Sequence, residues 1–513
     1  MALSMRETER KYVAPDGDVS WLSDLAGAGP IASVTDGGTQ ELDAVYYDSD
    51  DLRLTHAHAS LRRRTGGTDA GWHLKLPLAG DSREEIRVPL RSKDVPAELS
   101  DLVLSRTRGA ALRPVIRIRS SRSLHHLLDA RGEVLAELST DEVSAEALRD
   151  RGRGAAWTEM EVELAEDGDP ALLDGVEKVL RRHGLDRAQS PSKVVHALTE
   201  TAMFPQDPLA ARPGAVATGS AGDYVLAYIG RLVDALTDLD PAVRRDAPDS
   251  VHQMRTSARR LRSCLRSYRS VLDRKATDPI RRDLKWLANE LGVERDHEVL
   301  RERLTSGVRE LPGELVLGPV EARLTAWDVE QRTGARRRTL DTLASPRYLN
   351  LLEGLTSLKE APPLRTVKAA GEPRKVLGKA LRKEYRRLAG RMESALEMAP
   401  GPERDTAIHD ARKTAKRLRY AAEAARPALG KPVRRLGKRA KAVQRVSGAQ
   451  HDSVVTRDVL RRLAVLAHAA GESGFTWGVL HGREGAAADA RERQLPQAWA
   501  RVRAAARKKA FRS

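Results

Sequence analysis

Between residues 5 and 166 apolar and polar side chains alternate in about eight short runs, at 5–13, 41–48, 59–65, 71–78, 83–90, 113–122, 132–144 and 155–166. A period of two sends successive side chains to opposite faces of a strand. The runs therefore predict an antiparallel sheet, open or closed into a barrel. Turn clusters such as Arg64-Thr65-Gly66-Gly67-Thr68 and Ala130-Arg131-Gly132 punctuate them, and helical stretches near 94–106 and 170–183 interrupt the series. From Phe204 to Asp223 the periodicity dissolves into Pro, Gly, Ala and Ser, the composition of an interdomain linker, placed at 204–221. Beyond it the spacing is helical almost throughout. The predicted organisation is α+β multidomain, with a strand-rich domain over 1–203 and an all-α domain over 222–508.

The helical half repeats itself. HQMRTSARRLR at 252–262 returns as HDARKTAKRLR at 409–419, and GVERD at 292–296 returns as GAQHD at 448–452. The offsets, 157 and 156 residues, nearly coincide. Two related helical bundles are expected, at about 222–345 and 372–508.

Charge divides the halves more sharply than the net of +17 suggests. Residues 1–200 hold 27 Lys and Arg against 35 Asp and Glu, and the remainder hold 62 against 37. An acidic domain beside a strongly basic one predicts two roles, the second with a polyanion. The chain has three Phe, few for the aromatic platforms on which unpaired bases stack, so nucleic acid is the weaker polyanion candidate. A single cysteine, Cys264, excludes an internal disulfide and fits a reducing compartment. Residues 1–20 lack an apolar signal core, and no apolar run is long enough for a bilayer. A cytoplasmic location with no membrane partner is expected.

Chemistry enters with the strand faces. Glu7, Glu9 and Lys11 alternate along the first run, and Glu159, Glu161 and Glu163 along the last, so each set shares a face. Carboxylates at that spacing repel unless cations lie between them, which points to a divalent-metal site. Cations recur at the same period: Arg62 and Arg64, Lys75, Arg83 beside Glu85, and Arg117 with Arg119. Asp141 follows a run containing Glu137, and Lys193 stands in the first turn of a helix, where a cation opposes the dipole. Charge on one face of at least four segments does not suit an apolar barrel core. Closed on itself, such a sheet would enclose a polar lumen, with acids for metal and Arg and Lys for phosphate.

This set resembles the CYTH family of triphosphate tunnel metalloenzymes over residues 5–200. It includes Glu-x-Glu-x-Lys as Glu7, Glu9 and Lys11, Tyr46-Tyr47-Asp48, Leu61-Arg62-Arg63-Arg64, Lys75-Leu76-Pro77, Arg83 with Glu85, the Glu159/Glu161/Glu163 strand and Ser192-Lys193. The resemblance implies an eight-stranded antiparallel β-barrel, a triphosphate tunnel that works with one or two Mg²⁺ or Mn²⁺ ions. It implies metal ligands among Glu7, Glu9, Glu159, Glu161 and Glu163, with Asp141 as a further carboxylate. It also implies phosphate contacts from Lys11, Arg62, Arg64, Lys75, Arg83, Arg117, Arg119 and Lys193, and a catalytic set of Lys11, Glu7 and Glu9. Family members hydrolyse inorganic or thiamine triphosphate, and others are adenylate cyclases or RNA triphosphatases.

On a helix, His252, Arg255, Arg259, Arg262 and Arg266 fall within an arc of roughly 80°. His409, Arg412, Lys416 and Arg419 repeat the stripe, with Lys413 beside it. Cations three and four apart repel, so stripes without interleaved carboxylates suggest a bound anion. These residues resemble the CHAD family of paired four-helix bundles over 222–508, which implies inorganic polyphosphate in a basic groove between the two halves. Arg295-Asp296 and His451-Asp452 read as fasteners between helices. The leading expectation is a metal-dependent inorganic triphosphatase, splitting triphosphate into pyrophosphate and phosphate. It is joined to a polyphosphate-binding module that could hold it on polyphosphate granules. The alternatives are a non-catalytic polyphosphate binder, and thiamine triphosphatase or adenylate cyclase chemistry in the tunnel.

Overall fold

The computed structural model describes residues 3–13, 20–78, 80–150, 152–204 and 219–507, so the expected linker lies mostly outside the described residues. The chain divides into two compact units, 1–212 and 213–513.

In the first unit eight strands form: β1 (Leu3–Val13), β2 (Ser33–Asp48), β3 (Ser60–Thr65), β4 (Gly71–Pro77), β5 (Ser82–Val88), β6 (Arg113–Leu128), β7 (Val134–Ala147) and β8 (Gly154–Leu164). They close a barrel in the order β1-β5-β4-β3-β2-β6-β7-β8, with antiparallel neighbours throughout. Each alternating run of the sequence overlaps one strand. Strands β2 and β6 extend well beyond their runs. The early part of β2 carries Asp36-Gly37-Gly38, a turn-like composition, yet it pairs with the end of β6 across a bulge between Asp36 and Gly38. Closure is divided on β1: Leu3–Thr8 pairs with β5, and Glu9–Val13 pairs with β8.

The short helices α1 (Arg53–His56), α2 (Ala97–Leu102) and α3 (Leu104–Thr107) lie between strands, and α4 (Ala171–Arg182) and α5 (Lys193–Glu200) follow the barrel. Leu173, Val176 and Leu180 of α4 pack on Tyr12, Leu138 and Met160. The start of α5 is capped by Ser192 Oγ, which accepts the Val195 N–H. Its Val194, Val195 and Leu198 are buried with Ile116, Ile118 and Val143 of the barrel, and that packing fixes Lys193 in the first turn.

The second unit is helical: α6 (Ala221–Arg244), α7 (Ser250–Ser267), α8 (Arg274–Arg309), α9 (Val320–Ala344), α10 (Pro346–Glu360), α11 (Thr366–Ala369), α12 (Pro373–Glu397), α13 (Pro402–Leu429), α14 (Lys431–Ala469), α15 (Phe475–Glu492) and α16 (Leu495–Ala506). The repeated motifs fall on α7 and α13 and, farther on, on α8 and α14. The two copies share one core, in which Leu232, Met254, Leu261 and Leu287 are continuous with Leu381, Leu418 and Leu436. Each such side chain contributes about 1.5–3 kcal/mol by leaving water. Tyr268 Oη donates to the Ala421 carbonyl across the copies at 2.6 Å. Among the described residues, no helix is long and apolar enough to cross a membrane.

Candidate functional site

A cavity of about 490 Å³ lies inside the barrel. Strand parity decides its lining. Glu7, Glu9 and Lys11 come from β1, Arg62 and Arg64 from β3, Lys75 from β4, Arg83 and Arg87 from β5, Arg122 from β6, and Glu161 and Glu163 from β8. Lys193 enters from the start of α5. Its Nζ lies 2.5 Å from Asp141 Oδ2, 3.1 Å from Glu159 Oε1 and 3.7 Å from Glu161 Oε1. One carboxylate oxygen from each of these three acids falls within 4.8 Å of the others. Lys75 Nζ lies 2.5 Å from Glu7 Oε2 and 3.8 Å from Glu9 Oε2. Lys11 contacts Glu161 and approaches Glu9 at 3.4 Å. Glu7 Oε2 and Glu159 Oε1 are buried, and their contacts with Lys75 and Lys193 lack hydrogen-bond geometry. Buried carboxylate oxygens with unused lone pairs, set among other acids, suit a hard divalent cation.

Burial and charge act against each other here. Burial alone would raise Glu9, but Lys11, Lys75 and Arg83 hold it down to about 2. Glu163 goes the other way: burial, with Glu7, Glu9 and Glu161 nearby, pushes it up to about 7 despite Lys75. Burial also raises Glu7. Against the same penalty, Lys193 and Arg122 lower Asp141, and Lys11, Lys193 and Arg122 lower Glu161. Lys11 stays charged because Glu161, Glu9 and Glu159 outweigh its desolvation.

Arg117 and Arg119 do not join this group. They stand on the opposite face of β6 from Arg122, Leu124 and His126, which line the cavity. Arg117 pairs with Asp43, and the Arg119 side chain is 53 % exposed. The reason is local: Ile116 and Ile118 alternate with these arginines and take the buried positions, which sends the charges outward. The arginine that β6 does contribute is Arg122, whose Nε and Nη2 grip Asp141 at 2.8 and 2.7 Å. Arg87 was also missed. Its Nη2 lies 3.3 Å from Glu7 Oε1, and its Nε contacts the fully enclosed Glu85.

In the helical unit the cationic stripes divide. Arg255 donates from Nη1 and Nη2 to Asp296 at 2.6 and 3.1 Å, and from Nε to the Ala288 carbonyl at 3.2 Å. Arg412 Nη2 lies 3.9 Å from Asp452. Each guanidinium rests on a glycine of the repeat: a Cβ at Gly292 would meet Arg255 at 2.8 Å, and one at Gly448 would meet Arg412 at 3.0 Å. These two arginines latch α7 to α8 and α13 to α14, so Asp296 and Asp452 fasten helices; the His451 side chain is outside the described residues. Arg419 lies 3.5 Å from Glu423, and Lys413 donates to Asp410 at 3.1 Å. His252 lines a separate cavity with Tyr228, Arg260 and Glu423. His409 shares α13 with Lys416.

Arg259, Arg262, Arg266 and Lys416 crowd other cations. Burial, then Arg412, Arg259 and Arg255, lower Lys416 to about 7. Burial and Arg255 lower Arg259 to about 10. Arg262 and Arg266 are lowered by burial, Arg262 also by Arg266 and both by Arg281. Cations that destabilise one another in this way form a seam suited to an anion.

Comparison with known proteins assigns both units. The CYTH domain model matches residues 5–198 and the CHAD domain model matches residues 227–461. An uncharacterised protein of Mycobacterium tuberculosis (strain CDC 1551 / Oshkosh) is 36% identical over 518 residues, covering 98% of this chain and 97% of its own. Among solved structures, PptA from Streptomyces chartreusis is 21% identical, covers 55% of this chain and 100% of its own, and has a TM-score of 0.46. The CHAD domain from the plant Ricinus communis is 24% identical, covers 56% of this chain and 93% of its own, and has a TM-score of 0.45.

Proposed function

Because the chain belongs to the CYTH–CHAD proteins, a triphosphate-tunnel domain followed by a CHAD domain, we propose that it is a metal-dependent inorganic triphosphatase joined to a polyphosphate-binding helical domain. One observation carries the enzymatic half: carboxylates and cations from seven strands and α5 converge on a single enclosed cavity. A binder of anions alone has no use for so many acids. Glu7, Glu9, Glu161 and Glu163, with Asp141 and Glu159 beside Lys193, would hold the cation. When bound, Mg²⁺ or Mn²⁺ neutralises phosphate charge and lowers the pKa of a coordinated water.

The chain's own groups do the rest. Arg62, Arg64, Arg87 and Arg122 present planar forks to phosphate oxygens, and Lys11, Lys75 and Lys193 present point charges. Lys11, kept ionised by Glu161 and Glu9, would stabilise the departing pyrophosphate. These charges are already oriented toward one cavity, so little reorganisation is needed as charge develops. In the helical unit, Arg259, Arg262, Arg266 and Lys416 would take a polyphosphate chain.

The test is phosphate release from triphosphate, thiamine triphosphate, ATP and long polyphosphate, each with Mg²⁺ and with Mn²⁺. Metal-dependent release, fastest from inorganic triphosphate, supports the proposal. Preference for thiamine triphosphate, or cyclic AMP formed from ATP, would reassign the substrate. Polyphosphate binding with no turnover of any of the four would leave a binder only.

A further inference from the structure

His73 on β4 is not used by the chemistry above, yet it is 1 % exposed and sits behind the cationic wall of the cavity. Its Nδ1 lies 3.0 Å from Glu85 Oε1, and its Nε2 lies 2.9 Å from the backbone oxygen of Asp69. Both neighbours offer acceptor oxygens, and burial lowers His73 to about 4, so the neutral ring has one N–H to give; the Nδ1–H tautomer gives it to the enclosed Glu85 carboxylate. Glu85 is fully enclosed and reaches three cations: Arg87 Nε in close contact, Arg62 Nη2 at 3.7 Å and Lys75 Nζ at 3.9 Å. Asp69 contacts a fourth, Arg64, and approaches Arg87 Nη1 at 3.8 Å. Gly71, two residues before His73, allows the close approach of Val88 O, which a Cβ there would meet at 3.0 Å.

We infer that His73 is a positioning residue: by fixing Glu85 through Nδ1, it sets the spacing at which Arg62, Lys75 and Arg87 grip a phosphate chain. The inference rests on the phosphate-binding reading of this cavity. A carboxylate held by long, flexible cations alone can turn about its side-chain torsions. One bonded to a rigid, buried ring cannot, and phosphate recognition depends on placement to within about 0.5 Å.

The test is calorimetric titration of the full chain with inorganic triphosphate in the absence of metal. The reference chain carries Arg259→Ala and Lys416→Ala, which weaken the helical seam so that the barrel dominates the signal. His73→Asn keeps a donor near Nδ1, and His73→Gln keeps one near Nε2 while releasing Glu85. Affinity close to the reference is expected for His73→Asn, and a loss of about 10–100-fold for His73→Gln, the range seen when supporting hydrogen bonds behind a site are removed. The inference is overturned if His73→Gln binds like the reference, or if both variants weaken together in step with a lowered unfolding midpoint. A reference chain that does not bind triphosphate overturns this inference and the phosphate-binding reading alike. Binding without hydrolysis by the wild-type chain removes only the catalytic reading and leaves His73 its role.

Discussion

The barrel cavity and the cationic seam of the helical unit treat positive charge in opposite ways. In the barrel, cations stand among carboxylates: Lys11, Lys75, Lys193 and Arg122 are held more firmly protonated than usual, against burial, by the acids around them, and Arg62 by Tyr46 and then Glu85 and Glu7. Arg64, lowered to about 9 by burial, Arg62 and Arg122, is the exception. In the helical unit, Arg259, Arg262, Arg266, Lys416 and Arg417 are all lowered, because burial and neighbouring cations dominate. A balanced cavity binds an anion through its cations and gains further from new positive charge that enters with it, which is the electrostatic logic of a metal-assisted site. An unbalanced seam is relieved by the anion itself, which is the logic of a binding surface. Similar side chains therefore serve different ends according to what stands between them.

Five experiments would break or sharpen that contrast. The largest effect is expected from Glu7→Ala/Glu9→Ala, which should lower metal-dependent triphosphate hydrolysis by about 10²–10³-fold, the cost of removing preorganised charge. Retention on immobilised polyphosphate should not change. Next, raising salt from 50 to 200 mM should weaken polyphosphate binding about 50-fold if Arg259, Arg262, Arg266 and Lys416 each neutralise one phosphate, at a slope of about −0.7 per contact. Arg259→Ala/Lys416→Ala should flatten that dependence, and an unchanged slope would remove the seam from the binding surface.

Two pH effects have opposite sign. Glu163 is pushed up to about 7, so it is protonated below that value and unable to ligate. Mn²⁺ affinity at the barrel should therefore fall about tenfold from pH 8 to pH 6, and Glu163→Gln should remove the dependence. Lys416 is lowered to about 7, so it loses its charge above that value. Polyphosphate affinity should fall severalfold as pH rises from 6.5 to 7.5, and Lys416→Arg should hold it level. The smallest effect is expected from Arg255→Ala, which breaks a pair whose aspartate is 71% exposed. It should cost about 1 kcal/mol of stability in denaturant unfolding and reduce polyphosphate affinity less than Arg259→Ala.

The fold was legible because strand period and helix period are local properties, and the alternating runs located every strand of the barrel. Which charges face inward was legible where alternation was unbroken, as for Glu7, Glu9 and Lys11. On β6 the same alternation is present. Ile116 and Ile118 mark the buried face, and counting forward from them leads to Arg122, not to Arg117 or Arg119. Arg255 was beyond reach of any such count: its partner Asp296 is 41 positions away, and a cationic stripe on one helix does not reveal a carboxylate on the next. The GVERD and GAQHD repeats recorded the relation without its meaning. The glycine opens a berth for the guanidinium, and the aspartate one turn on receives it. His73, flanked by the buried Trp72 and Leu74, gave no sign in the sequence of anything beyond core.

The divided pairing of β1 has a further consequence. Its first half is bonded to β5 and its second half to β8, so this strand is the clasp of the barrel, and the handover falls between Glu7 and Glu9. If the clasp springs open, Lys11 and Glu9 part from Glu161, and Glu7 is no longer held in place relative to either. A cation or phosphate chain lodged among them grips both ends of the clasp at once. Ligand occupancy and the integrity of the ring should thus rise and fall together.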